Sequence, residues 1–262
     1  SFAQPTDRKR NELPGCGARA YSALDSMLHS VTQSLSASPK IGTSPNIDLA
    51  NGPASTAAAV LFSGGASHAD LPLSGGELGK LAAFLRDLHN MDAPYPEQSV
   101  RGGTQTDRNL LLHHDPVIGA LRHKIEKAVK GWRDGLPPDD AGHPLLGRKP
   151  KSIRFTGSWS VRLASGGHHS AHTHPNGWAS SALYVALPRQ MGEGHAGKLA
   201  IGLPPPELSL GLEPERYITP KPARLALFPS TSWHGTIPHE GEERLTIAFD
   251  VAPADPAVGG AE

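Results

Sequence analysis

Beyond residue 150 the chain breaks into short apolar or alternating runs at Ile153 to Leu163, Ala182 to Leu187, Lys198 to Leu203, Arg224 to Phe228 and Arg244 to Val251, each bounded by turn-forming residues. Such runs are long enough for strands and mostly too short for helices, and many short strands joined by Gly and Pro turns close into a sandwich or a barrel. Glycine and proline, 29 and 25 of the 262 residues, supply the turns. Their combined share is well above the roughly 12% of an average protein. No self-similarity at a solenoid period is present, which argues against a repeat architecture.

The segment before residue 150 reads as helical. Ser74 can cap a helix whose third residue, Glu77, closes a capping box, with Leu73 and Leu78 as the flanking apolar staple and Leu78, Leu81, Leu85 and Leu88 as its buried stripe. Asp115 and Pro116 are an N-cap and first-turn proline for a second helix carrying Val117, Ile118, Leu121, Ile125, Val129 and Trp132 on one face. Both are expected to pack on a sheet. A further amphipathic helix is expected over Ala18 to Leu35, followed by a Ser, Pro, Asn and Gly rich loop to Ser55. The division expected is thus an N-terminal segment over 1–75, partly helical or poorly ordered, helices and a loop over 76–150, and a β core over 151–255.

Charge narrows the function. With 25 basic and 25 acidic residues there is no global field to favour nucleic acid or an anionic membrane. The longest apolar run near the N-terminus, Ala57 to Phe62, is far below the ~18 residues needed to cross a bilayer. Cys16 is the single cysteine and cannot form an intrachain disulfide, in keeping with a reducing compartment. The expectation is a cytoplasmic protein, able to form a homodimer, that handles a small molecule or a peptide or protein side chain.

Histidines indicate the chemistry. His172 and His174, two apart in SAHTHP, point to one face if the backbone is extended and can meet one ion; His234, in PSTSWHGT, follows the next apolar strand and suits a third ligand. Three imidazoles with open positions can hold Fe(II), Zn(II) or Cu(II). Alone, a His-x-His in a histidine-rich stretch is more often a surface loop than a metal site. Arg244, ten positions past His234, opens a strand that would run back beside the ligands, with Thr246 on the same strand face. If buried, that guanidinium needs an anion, and its planar fork suits a carboxylate; if exposed, Glu242 or Glu243 would satisfy it.

The arrangement His172-Thr173-His174, His234, Arg244 resembles that of the 2-oxoglutarate and Fe(II)-dependent oxygenases, whose pattern is His-x-Asp, a distal His and an Arg about ten residues on. SVRGGTQT (99–106), GSWSVRL (157–163), HTHPNGW (172–178), LFPSTSWHGT (227–236) and RLTIAFDV (244–251) resemble a bacterial group within that superfamily. The resemblance runs from about Gln98 to Pro253. It implies a mainly β fold with flanking helices, whose core is a double-stranded β-helix (jelly roll, cupin-like) with the ligands at its open mouth. It also implies Fe(II), O2 and the co-substrate 2-oxoglutarate, whose distal carboxylate would pair with Arg244 and whose decarboxylation to succinate and CO2 would be coupled to hydroxylation of a substrate.

His174 stands where the superfamily carries Asp or Glu, so the site has one negative ligand fewer. His174 could turn away, the site could prefer another metal, or His168 or His169 could substitute, although the Gly-Gly before them favours a loop. Around the motif, Tyr184 could offer its phenol to the co-substrate, while Gln105, Trp159, Arg162 and Trp178 are candidates for contact with substrate; no catalytic residue is expected beyond the metal site. RGGTQT (101–106) reads as a connection or a loop over the barrel mouth. Two rivals remain open: a cupin-like three-histidine metalloenzyme that uses no keto acid, and a non-catalytic jelly roll holding structural Zn(II).

Overall fold

The computed structural model describes residues 65–90, 98–107 and 109–254. The helix expected over 18–35, the loop that follows it and Cys16 lie outside the described residues. Among the described residues, nine strands and two α-helices follow in the order β1 (Ser67–Asp70), α1 (Gly75–Leu88), β2 (Val100–Gln105), α2 (Pro116–Asp134), β3 (Phe155–His169), β4 (Ala179–Ala186), β5 (Leu199–Ile201), β6 (Arg216–Ile218), β7 (Arg224–Pro229), β8 (His234–Thr236) and β9 (Arg244–Val251). The larger sheet has the order β1-β7-β4-β9-β3-β2 and the smaller β6-β5-β8, and every pairing is antiparallel. The two sheets form the double-stranded β-helix.

Both helices begin at their expected caps. Ser74 Oγ accepts from the Glu77 amide at 3.2 Å while Glu77 Oε2 accepts from the Ser74 amide at 2.8 Å, and Asp115 Oδ1 accepts from the Val117 amide at 2.8 Å. Their stripes, Leu81 and Leu85 from α1 and Ile118, Leu121, Ile125, Val129 and Trp132 from α2, join one apolar cluster with Leu183, Leu225, Leu227, Leu245, Ile247, Phe249 and Val251 of the large sheet. Each fully buried side chain of this size contributes roughly 2 kcal/mol of apolar burial. Strand alternation sends their neighbours the other way. Ala226 and Phe228 of β7 meet Leu199, Ile201 and Ile218 of the small sheet, so the inner face between the sheets is separate from the face covered by helices.

Two segments differ from the sequence reading. Residues 100–105 are an edge strand, not a loop: Arg101 faces His168 and Gln105 faces Val161, with a register shift between Arg101 and Gly103. The shift hides the period of two on which a strand is recognised. Gly102 has φ +66°, and a Cβ on Gly103 would lie 2.3 Å from the Arg162 carbonyl oxygen, so the glycines that read as loop permit the close strand crossing. For the same reason β3 runs on through Gly166 and Gly167, and His168 and His169 are strand residues.

Candidate metal centre and anion site

The two histidines of SAHTHP do not sit on a regular strand. His172 forms a bridge with His234, each amide donating to the other's carbonyl at 3.0 Å, and the His174 amide donates to the Ser230 carbonyl at 2.8 Å. This short extended stretch, ended by Pro175 and a turn at Gly177, still gives the same-face geometry that two-residue spacing requires. The three rings converge: centroids lie 4.3 Å apart for His172 and His234, 5.0 Å for His172 and His174, and 5.2 Å for His174 and His234. One ring nitrogen from each falls within 4.8 Å of the others.

The tautomers follow from the partners. His172 Nδ1 lies 2.8 Å from the Ser170 carbonyl oxygen, His234 Nδ1 2.9 Å from that of Ser232, and His174 Nδ1 2.7 Å from Asp250 Oδ2. Carbonyl and carboxylate oxygens only accept, so every Nδ1 carries the proton and every Nε2 offers a lone pair. Burial holds both His172 and His234 below the ordinary histidine range, His234 well below, with the neighbouring imidazoles adding to the effect. Neutral rings with oriented lone pairs are what a divalent metal needs.

Asp250 is the residue that sequence reasoning missed. Its other oxygen, Oδ1, accepts from Ser180 Oγ at 2.7 Å, and that hydroxyl lies 2.9 Å from Ser230 Oγ. The carboxylate absent from the ligand position thus stands directly behind His174. Strand period was the available signal, because Asp250 shares the inner face of β9 with Arg244, Thr246 and Ala248.

Arg244 is 1% exposed and has no carboxylate partner among the described residues. One nitrogen, Nη1, donates to the Gly197 carbonyl at 2.9 Å, while Nε is buried without a partner. The surface alternative is excluded, since Glu243 is held by Arg86 at 2.6 Å and by Arg162 at 2.8 Å. Burial lowers the Arg244 pKa, the mark of a charge that lacks compensation. Tyr184 approaches with its ring face, 5.1 Å from the Arg244 guanidinium carbon, and its buried hydroxyl has no partner; Thr246, directly across from Tyr184 in the register, is also buried. A buried arginine beside an unpartnered buried hydroxyl fits a bound carboxylate.

A cavity of about 520 Å³ opens over His172, His174, His234 and Arg244, with Tyr184 and Thr246 behind its lining. Trp159 and Gln105 line it, with the Trp159 ring 5.8 Å from that of His174. Trp178 and Arg162 do not. Trp178 is 2% exposed, donates from Nε1 to the Leu145 carbonyl at 2.9 Å and packs on Trp132, so it belongs to the core under α2. Arg162 points to the helix side of the sheet and pairs with Glu243, because residues 158, 160 and 162 of β3 face opposite to Trp159. His169, which read as loop, stands at the cavity wall 6.0 Å from the His172 ring with Nδ1 3.0 Å from Ser99 Oγ.

Buried neutral histidines make the fold acid-sensitive. Desolvation, then the His172 and Arg244 charges, push His169 down to about 3, and desolvation, then Arg162, push His89 down to about 4. Unfolded, each titrates near 6.5, so below that pH the unfolded chain binds more protons. Their contribution is complete above pH 6.5 and is lost as pH falls toward 4. Thermal denaturation of metal-free protein should give a midpoint that drops continuously over that window, and a flat profile would contradict the assignment.

A double-stranded β-helix with three convergent imidazoles and a buried arginine on its inner face is suited to hold a metal ion and an anion. Residues 157–250 match the family model described as "Putative 2OG-Fe(II) oxygenase". That match spans the β core, which is thus similar to the 2-oxoglutarate/Fe(II)-dependent oxygenases. Among solved structures it is similar to a Pseudomonas putida prolyl-4-hydroxylase, with 18% identity, 75% of this chain and 96% of that chain covered and a TM-score of 0.51. It is also similar to a Trichoplax adhaerens prolyl hydroxylase in complex with a hypoxia inducible factor oxygen degradation domain peptide fragment, with 13% identity, 75% and 87% covered and a TM-score of 0.50. Both likenesses concern the fold. No curated protein matches the sequence. Among the described residues no helix is long and apolar enough to cross a membrane.

Proposed function

We propose that the chain is a dioxygenase that hydroxylates a small molecule or a peptide or protein side chain in the cytoplasm, releasing succinate and CO2. His172, His174 and His234 would hold Fe(II) through Nε2, and Arg244 would take the distal carboxylate of 2-oxoglutarate, with Thr246 and the Tyr184 hydroxyl as further donors. Fe(II) with 2-oxoglutarate and O2 supplies the oxidant for C–H hydroxylation when bound. The chain's own contribution is placement: backbone carbonyls and Asp250 fix the imidazoles, the Tyr184 ring fixes the guanidinium, and the two sheets keep both away from bulk water.

The observation that carries this reading is Arg244, fully buried and lacking an anionic partner among the described residues, next to the three-histidine cluster. A metalloenzyme without a keto acid, or a structural zinc site, would give that charge nothing to bind. The test is to load purified protein with Fe(II) and follow 2-oxoglutarate under oxygen. Binding of 2-oxoglutarate with succinate formation is expected; protein that holds iron yet neither binds the keto acid nor forms succinate would refute the proposal.

A further inference from the structure

Among the described residues the cavity wall contains two arginines, Arg101 and Arg244, and no aspartate or glutamate. A wall of that kind favours anions and disfavours cations. Arg244 lies at the buried end and has a use in the proposed function. Arg101 is exposed on the edge strand β2 at the rim, and nothing described so far uses it.

Five other arginines, Arg86, Arg122, Arg133, Arg162 and Arg224, each pair with an acidic side chain, whereas Arg216 and Arg244, like Arg101, donate to a backbone carbonyl. Among the described residues no carboxylate lies in ion-pair range of Arg101. Instead, Nη1 donates to two backbone carbonyls, those of Gln98 at 2.6 Å and Val100 at 2.9 Å. Those bonds use both Nη1 hydrogens and hold the plane of the guanidinium. What remains is the Nε and Nη2 edge, which can take the two oxygens of one carboxylate side by side.

Arg101 and Gln105 both line the cavity from either side of the register shift, which the positive φ of Gly102 and the missing Cβ of Gly103 make possible. That gives the Arg-Gly-Gly run a purpose that its composition does not disclose. The remaining rim is polar and neutral, including Ser170 and Thr173, with Trp159 as the apolar wall.

We propose that Arg101 binds the carboxylate of the substrate, and that the substrate class is small free carboxylic acids such as amino acids. This rests on the oxygenase reading, in which Arg244 serves the co-substrate and leaves Arg101 for the molecule to be oxidised. A cavity of about 520 Å³ has room for the co-substrate and a molecule of that size.

The probes are the standard L-amino acids, each beside its primary amide, with O-phosphoserine amide as a phosphate probe. They are titrated calorimetrically into full-length protein loaded with Zn(II), which does not turn over, in saturating 2-oxoglutarate. At least one free acid should bind and weaken at least tenfold on amidation. Arg101→Gln should weaken that acid by roughly ten- to a hundredfold, the range for a lost hydrogen bond to a charged group, while leaving its amide unmoved. Arg101→Lys should recover part of the loss, because an ammonium restores charge without the fork. The proposal is overturned if acids and amides bind alike or neither binds, if Arg101→Gln and the parent protein bind the acid equally, or if only the phosphate probe binds. Should 2-oxoglutarate itself fail to bind the Zn(II) protein, it is the oxygenase reading that fails; the acid and amide comparison without co-substrate then decides separately on Arg101.

Discussion

Replacing Arg244 with methionine should abolish 2-oxoglutarate binding while leaving the metal-free, ligand-free protein as stable as before, or more so. Both halves follow from one observation, a guanidinium 1% exposed that has no carboxylate partner among the described residues. Losing one member of a buried charge pair costs about 2–5 kcal/mol, so the dissociation constant should rise by at least about thirtyfold. In the empty protein the same charge is a burden. Burial of an unpaired ion costs several kcal/mol, and an apolar side chain of similar volume removes that cost. The methionine variant forfeits the hydrogen bond to the Gly197 carbonyl, worth about 1 kcal/mol, and the guanidinium's contact with the Tyr184 ring, worth about 1–2 kcal/mol. Thermal denaturation with and without 2-oxoglutarate separates the effects: the ligand-induced rise in midpoint should vanish, and the ligand-free midpoint should hold or increase. A variant that unfolds early, yet binds the keto acid when folded, would mean that Arg244 is structural.

Asp250→Asn should weaken metal binding by roughly ten- to a hundredfold, the usual consequence of losing a carboxylate behind a metal-bound imidazole. The amide oxygen can still accept from His174 Nδ1, so shape is retained and charge is lost. His172 and His234 rest on neutral carbonyls; Asp250 therefore supplies the anionic partner in the ligand support and offsets the missing carboxylate in the triad. Competition with a chromogenic chelator measures the affinity, with Ser180→Ala as the milder comparison because it removes one hydrogen bond and no charge. Equal affinity in Asp250→Asn and the parent protein would show that the three imidazoles hold the ion without that charge.

The core and site elements were unevenly legible in the sequence. β9 was read with its observed bounds because Leu245, Ile247, Phe249 and Val251 put a large apolar residue at every second position, and α1 and α2 were read from their caps. β2 escaped because its period is broken by a bulge, and glycine, which usually marks a turn, here marks two backbones in close approach. β1, β6 and β8 are only three or four residues long, too short for any periodicity to register. The histidine triplet was legible from spacing. Arg244 was legible as a choice between buried and surface positions, and only its 1% exposure decides that choice. Trp178 illustrates the limit: an indole two residues from a turn reads as pocket or core alike, and its position is set by Trp132 arriving from a distant helix.

The two faces of β9 also constrain how such a chain can change over time. One face puts Leu245, Ile247, Phe249 and Val251 under the helices, and the other puts Arg244, Thr246, Ala248 and Asp250 toward the site. Inserting or deleting a single residue inside the strand would exchange the faces beyond it, sending a carboxylate into the apolar layer and a leucine or phenylalanine toward the metal. Substitution can tune this strand but a change of length cannot. Descendants of such a chain would gain and lose residues in the stretches between β4 and β5 and between β5 and β6, where side chains do not have to choose between a greasy side and a reactive one.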